Sequence, residues 1–261
     1  MVRLNKILPL ITIIGCLSVA SSVWAKFSVE PVRVEIFQQA GTTQTGAYSI
    51  KNFDDTPIRI ELEWFDKTIN PAIETWFEFE NNVVDVPPNS TVDIKYTISL
   101  PEDAQGLYYA RVRFSENPPE GVAVGISKRY NYPLLVVAQG TQHYDYTIND
   151  IKIKNTDVKA TTLEVFITNN SNTFFRPGGQ IKIHPEDGSE TEYHIEFNTE
   201  RELILPQQGS LCIGSFIGDM VLPDGLYKAV ILIVNTDEYD EKIWKKTMTF
   251  SVENGVPNII E

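Results

Sequence analysis

The sequence predicts an all-β protein, built as two tandem immunoglobulin-like antiparallel β-sandwiches that follow a cleaved signal peptide. Apolar residues recur with a period of two, as in IRIELEWF at residues 58–65, and this period is typical of strands with one buried face. Turn residues interrupt the strands about every ten residues, which favours a sandwich. The strands number about twice what one immunoglobulin-like domain needs, so we expect two domains.

The first 25 residues have the pattern of a secretion signal. A basic start precedes an apolar core at residues 7–17, and Val23-Trp24-Ala25 is a small-residue cleavage site. We therefore expect residues 1–25 to be removed, leaving no membrane span. An uncleaved anchor is an alternative, although the apolar run is shorter than the ~20 residues of a membrane span. Residues 13–16 also resemble a lipobox, in which Cys16 would carry a lipid.

Composition excludes several classes of function. Cys212 is the one cysteine after the signal, so the mature chain has no internal disulfide. The net charge of −13 argues against nucleic-acid binding, which needs a basic face. The three histidines lie at no metal-ligand spacing, and no nucleophile elbow, phosphate loop or dinucleotide fingerprint is present. We therefore expect no metal, no cofactor and no enzymatic activity, and an enzyme is the weakest alternative.

The first set of strands fills the predicted domain at residues 26–139. Each strand alternates apolar and polar side chains, and the turns between them contain proline, glycine, asparagine or aspartate. The predicted strands are residues 27–37, 47–52, 58–65, 76–79, 83–86, 92–101, 107–114 and 122–137.

A second set of strands fills the predicted domain at residues 140–261, and the boundary falls at Gln139-Gly140-Thr141. Both sets contain a Leu-Pro turn that leads into Gly-Leu-Tyr, at residues 100–108 and 222–227. We interpret this as two copies of one architecture. The predicted strands are residues 144–155, 161–170, 178–184, 191–197, 202–206, 210–217, 225–234 and 246–252.

The segment at residues 122–137 combines three features. Apolar residues alternate at its start, two cations follow, and an apolar run comes after Pro133. Since proline cannot donate to a ladder, we expect the strand to lie at a sheet edge, at least there. An apolar edge strand invites aggregation unless a partner pairs with it. The alternating residues are Val122, Val124 and Ile126, and the cations are Lys128 and Arg129.

Short motifs in the first domain follow one another in an order that can be compared with known families. They are Arg33 before Ile36 and Phe37, Asn52 at a strand end, Pro57 in a turn, Trp64-Phe65 at a strand end, Val86-Pro87-Pro88 before a strand, Leu100-Pro101-Glu102-Asp103 before Leu107-Tyr108-Tyr109, Pro118-Pro119, and Lys128 five residues before Pro133. In this order they resemble the N-terminal domain of the PapD-like periplasmic pilus chaperones. The second domain resembles that family more loosely.

The resemblance implies a periplasmic chaperone that works without ATP or metal. Such a chaperone lends an edge strand to a pilin-like subunit and can deliver it to an outer-membrane usher. Val122, Val124 and Ile126 would be the lent residues. Arg33 and Lys128 would bind the subunit's C-terminal carboxylate, because charge-assisted bonds to a carboxylate are strong.

Other interpretations of these residues stay open. Arg33 and Lys128 could be solvated side chains, and the alternating residues Val122, Val124 and Ile126 could be ordinary core. Arg129 could replace Lys128, since neighbouring residues of a strand point to opposite faces. The chain could also be an extracytoplasmic module that displays its immunoglobulin-like domains to a protein or glycan partner.

Overall fold

The computed structural model describes residues 26–69, 71–116, 127–155, 161–198, 203–216, 221–235 and 244–260. These residues form strands and one short 3-10 helix at Pro71–Thr75, which confirms the predicted all-β, two-domain immunoglobulin-like fold. The strands are β1 (Phe27–Glu30), β2 (Val34–Gln38), β3 (Thr43–Asn52), β4 (Ile58–Ile69), β5 (Phe77–Phe79), β6 (Val83–Val86), β7 (Thr91–Ser99), β8 (Gly106–Glu116), β9 (Arg129–Ala138), β10 (Tyr146–Asn155), β11 (Thr161–Asn169), β12 (Pro177–Pro185), β13 (Tyr193–Asn198), β14 (Gly209–Phe216), β15 (Gly225–Asn235), β16 (Trp244–Glu253) and β17 (Val256–Ile259).

The first domain is a sandwich of two sheets, ordered β1-β3-β7-β5 and β2-β9-β8-β4-β6. The alternation in β4 shows why these residues form strands with one buried face. Ile58, Ile60 and Leu62 are buried in the core, whereas the charged residues between them are exposed. Tyr48 and Phe114 lie at the centre of this core, with their rings in an edge-to-face contact at 5.1 Å.

The first strand was expected to run unbroken from residue 27 to 37, and that expectation is wrong. The strand ends at Glu30, so that β1 belongs to the four-stranded sheet and β2 to the five-stranded sheet. Pro31 accounts for the break, because it has no N–H for a ladder and its ring fixes φ. After the break, β2 pairs with β9 in parallel, with Val34 opposite Leu134.

The second domain folds one continuous sheet around its core, in the order β10-β11-β14-β13-β12-β15-β16-β17. The sheet curls so that its first and last strands, β10 and β17, approach each other. Inward residues such as Leu163, Val165 and Ile181 are fully or almost fully buried. Within the described ranges, no helix has the length and apolar character needed to span a membrane.

Two short elements of the second domain differ from the sequence-based expectation. The strand expected at residues 202–206 is, among its described residues, a single bridge between Phe175 and Ile204. The strand β17 was not expected at all. Asn254 and Gly255 join it to β16 with positive φ angles of 53° and 73°, the turn that an Asn-Gly pair favours. The Asn-Gly pair is a hairpin signal, but the second strand of this hairpin is too short to be recognised by its periodicity.

Candidate functional site

The strand β9 has two neighbours along only half of its length. β8 pairs with it throughout, from Gly106 opposite Ala138 to Ser115 opposite Arg129. β2 pairs with residues 134–138 alone, so no described strand lies on that side of residues 129–133. This half of β9 is called the open edge below. Pro133 lies in it, which confirms the edge position that the proline predicted.

The backbone of the open edge directs outwards groups that no described strand pairs with. The Glu116 N–H donates to the carbonyl of Lys128 at 2.9 Å, so the backbone groups of Lys128 point towards β8. Backbone groups of successive residues in a strand point to opposite sides, and so those of Arg129 and Asn131 point away from β8. Pro133 faces the same way, which places its missing donor where no ladder bond is lost.

The outer face of the five-stranded sheet changes character along β9. At one end, Leu135 and Val137 pack with Tyr109 against Phe174 and Leu205 of the second domain. These residues form a buried interface between the domains, and the end of the open edge beside it is called the cleft end below. On the opposite face of β9, the rings of Tyr130 and Tyr132 pack against the core of the first domain.

Beyond this interface, arginines line the same outer face. Arg111 lies opposite Pro133 and Arg113 opposite Asn131 in the neighbouring strand. The Arg111 Nε donates to the Tyr109 hydroxyl at 2.7 Å. Arg113 Nη1 contacts Glu63 Oε1 at 2.9 Å. Together with Arg129, these side chains make a cationic face beside the open edge, although the chain as a whole carries a net charge of −13.

Arg33 and Lys128, the two cations assigned to carboxylate binding, stand at opposite ends of the open edge. Continuing the register from Val34 and Leu134 places Arg33 beside Pro133, at the cleft end. Lys128 lies five residues further along, about 16 Å away at the usual rise of a strand. The side chain of Arg33 is 36% exposed, and Lys128 is also partly exposed. The alternating residues Val122, Val124 and Ile126 lie outside the described residues.

Sequence reasoning missed two charged residues at the cleft end, Glu35 and Arg176. Glu35 Oε1 contacts Arg33 Nη1 at 3.3 Å and also accepts a hydrogen bond from Arg176 Nη2 of the second domain. Glu35 could have been linked to Arg33 by strand parity. Arg176 gave no signal, because 141 residues separate it from Glu35.

Hydrogen bonds of Asn172 also join the domains beside this interface. The Asn172 side chain donates to the Thr141 carbonyl at 2.9 Å and accepts from the His143 N–H at 2.8 Å, which fixes the linker. The Asn172 carbonyl accepts from the Leu107 N–H at 2.9 Å. Gly106 has a φ of +65°, and a Cβ there would lie 2.5 Å from the Asn172 carbonyl oxygen. The interface therefore needs glycine at this position.

No protein-family model and no curated protein sequence matches this chain. Solved structures do match it. One is a chaperone–tip adhesin complex of CFA/I fimbriae biogenesis, with 13% identity, a TM-score of 0.48, and coverage of 85% of this chain and 98% of that chain. Another is the class 5 fimbriae chaperone CfaA, with 14% identity, a TM-score of 0.45 and the same coverages.

A third match is the CsuC–CsuE chaperone–tip adhesion subunit complex of Acinetobacter baumannii, with 13% identity and a TM-score of 0.44. It covers 85% of this chain and 98% of that chain. Fimbrial chaperones are thus among the solved structures that resemble this protein, as the sequence predicted. Because the identity is so low, the partner of this chain has to be inferred from its own residues, above all those of the open edge.

Proposed function

We propose that this protein is a periplasmic chaperone that binds pilin-like or other surface-structure subunits by pairing with a subunit strand at the open edge of β9. The observation that carries the proposal is the open edge itself. It presents the backbone groups of Arg129 and Asn131 beside a cationic face that leads to the cleft end. Adding a strand to such an edge gives affinity through main-chain hydrogen bonds and needs no nucleotide.

The residues just before the open edge complete the proposed mechanism. Val122, Val124 and Ile126 alternate in sequence, so one side of a strand there would be apolar. We assign them to the hydrophobic groove of a subunit that lacks a strand of its own. Their apolar side chains would be removed from water in the complex, at roughly 25 cal/mol per Å² of buried apolar surface.

Arg33 and Lys128, at the two ends of the open edge, are the two candidates for binding the subunit's C-terminal carboxylate. Arg33 stands at the cleft end, where the buried apolar residues nearby lower the local dielectric and strengthen a charge-assisted bond. Lys128 stands at the far end and is the second assigned residue. Because about 16 Å of strand separates them, single substitutions distinguish which end holds the carboxylate. An outer-membrane usher would be a further partner of the loaded complex.

The test is co-expression of the chain in a bacterial periplasm with a pilin-like subunit from the same genome. We expect a 1:1 complex, and we expect Arg33→Ala to lower its yield about tenfold because a charge-assisted bond is lost. Arg59→Ala is the matched control, because Arg59 is an exposed arginine on β4 that pairs with Asp85 of β6, and β8 separates β4 from β9.

The outcomes separate the parts of the proposal. If Arg33→Ala and Lys128→Ala both capture the subunit normally, neither residue anchors the carboxylate. If no complex forms and the subunit accumulates equally well without this chain, the chaperone proposal is wrong. That second result would favour a module that displays its domains to a partner.

A further inference from the structure

One carboxylate at the cleft end is shared between arginines of the two domains. Glu35 on β2 contacts Arg33 of its own domain at 3.3 Å. The same Glu35 oxygen accepts a hydrogen bond from Arg176, which precedes β12 in the second domain. The three side chains therefore form a chain of charges that crosses the domain boundary and ends at Arg33.

The surroundings of Arg176 fix it in place. Arg176 is only 8% exposed, and its guanidinium carbon lies 4.8 Å from the centre of the Phe174 ring. Phe174 packs edge-to-face on Phe37 of the first domain at 6.0 Å. A planar guanidinium held between a ring and a carboxylate has little freedom to turn elsewhere. Arg33 differs, because its side chain is 36% exposed and open to a ligand.

The charges of this cluster determine how strongly Arg33 can attract another carboxylate. With Arg176 in place, the negative charge of Glu35 is already balanced by a buried cation. Arg33 then retains positive charge for an incoming group. Without Arg176, Glu35 would balance Arg33 instead, and the incoming carboxylate would meet a neutral pair. Partly buried charges at such distances are weakly screened by salt.

We propose that Arg176 is a positioning residue which, through Glu35, keeps Arg33 available for a partner's C-terminal carboxylate. The second domain thereby controls the affinity of a site on the first. This inference rests on the proposed function and adds a residue to it. It also accounts for the presence of an acidic residue beside an arginine that is assigned to bind acids.

Two substitutions with opposite expected effects test the inference. Arg176→Met removes the balancing cation and should weaken carboxylate binding about tenfold. Glu35→Gln removes the competing carboxylate while keeping its shape, and should strengthen binding severalfold. A merely structural role would make both variants weaker, because Arg176→Met removes the interdomain hydrogen bond and Glu35→Gln leaves it only a neutral, weaker acceptor. Arg176→Lys keeps the charge and should restore most of the affinity.

The probe is a synthetic peptide whose last nine residues alternate valine with threonine and which ends in a free carboxylate. The same peptide with a C-terminal amide is the control ligand. Binding to the whole mature chain is followed by calorimetry, and circular dichroism checks that each variant is folded. We expect Arg176→Met and Glu35→Gln to change the affinity for the carboxylate peptide and to leave that for the amide peptide unchanged. In an Arg33→Ala background, Arg176→Met should have no further effect.

The failures are distinguishable. If the wild-type chain binds the carboxylate peptide but the two variants shift affinity in the same direction, Arg176 does not act through charge and the inference is wrong. If their effects are equal for the carboxylate and amide peptides, it is wrong as well. If the wild-type chain binds neither peptide, strand pairing at the open edge fails, and the proposed function falls together with the inference.

Discussion

Asn52 in the first domain and Asn169 in the second hold the same turn with the same hydrogen bonds. Each side-chain oxygen accepts from the backbone N–H two residues on, and each side-chain nitrogen donates to the carbonyl four residues on, at 2.8 Å in all four cases. Each nitrogen also reaches a distant carbonyl, that of Val86 from Asn52 and that of Ile204 from Asn169. The two domains therefore share the same local structure at these turns.

The domains differ in which strand covers the edge of their last long strand, which is β9 in the first domain and β16 in the second. In the first domain, β2 comes from the start of the chain and covers residues 134–138 of β9. In the second, β17 turns back from β16 itself and covers residues 250–253. β2 brings Arg33 to the end of the uncovered part, whereas β17 brings the exposed apolar residue Ile260. The fold therefore builds such an edge twice and, among the described residues, places a cation only beside the first, at the cleft end.

The largest effects are expected where the two domains agree. Asn52→Ala and Asn169→Ala should each lower the free energy of unfolding by about 3 kcal/mol, because each leaves buried backbone groups without partners. Urea denaturation followed by fluorescence measures both. Asn170→Ala is the control, since its exposed side chain makes one bond to Thr147, and it should cost well under 1 kcal/mol. A small effect at one of the two buried positions would show that the turns are not equivalent.

A smaller effect is expected at the seam between the domains. Gly106 and Gly140 both have positive φ angles, +65° and +83°, so alanine strains the backbone at both. At Gly106 the new Cβ also meets the Asn172 carbonyl, whereas at Gly140 it meets no described atom within 4 Å. Gly106→Ala should therefore cost about 1–2 kcal/mol more than Gly140→Ala. Small-angle scattering should show a changed domain arrangement for Gly106→Ala alone, and equal results for both variants would contradict a tight seam.

The smallest effect contrasts two buried tyrosines. The Tyr48 hydroxyl is buried and has no hydrogen-bond partner among the described residues, whereas the Tyr227 hydroxyl donates to the Pro223 carbonyl at 2.7 Å. Tyr48→Phe should thus stabilise the chain by about 1 kcal/mol, and Tyr227→Phe should destabilise it by about as much. Thermal unfolding of both variants decides the signs, and destabilisation by Tyr48→Phe would contradict the unpaired hydroxyl.

Alkaline pH sharpens the same contrast. Burial raises the pKa of Tyr48 far above its ordinary value, with a smaller contribution from the neighbouring Tyr96. The unfolded chain releases this proton near pH 10 and the folded chain does not, so stability is full below about pH 10 and falls as the pH rises further. Tyr48→Phe should make this loss less steep in pH-dependent denaturation. An unchanged slope would show that Tyr48 is not the group responsible.

What the sequence could predict depended on how local the cause was. Pro133 indicated an edge because a missing N–H acts at its own position, and the Asn-Gly pair at residues 254–255 carried a hairpin signal for the same reason. The break at Pro31 needed a choice between two sheets, which strand periodicity alone does not make. The link from Arg33 through Glu35 to Arg176 depends on how two domains pack, and no pattern within one strand encodes it.

Hydrogen exchange at the open edge is the most direct test of the central claim that β9 pairs with a partner strand there. The N–H groups of Arg129 and Asn131 should exchange quickly in the free chain, whereas those of Tyr130 and Tyr132 should be protected by β8. In the complex with a bound subunit, Arg129 and Asn131 should become protected and the two tyrosines should not change. A complex in which the amides of Arg129 and Asn131 still exchange at the free rate would contradict strand pairing at this edge.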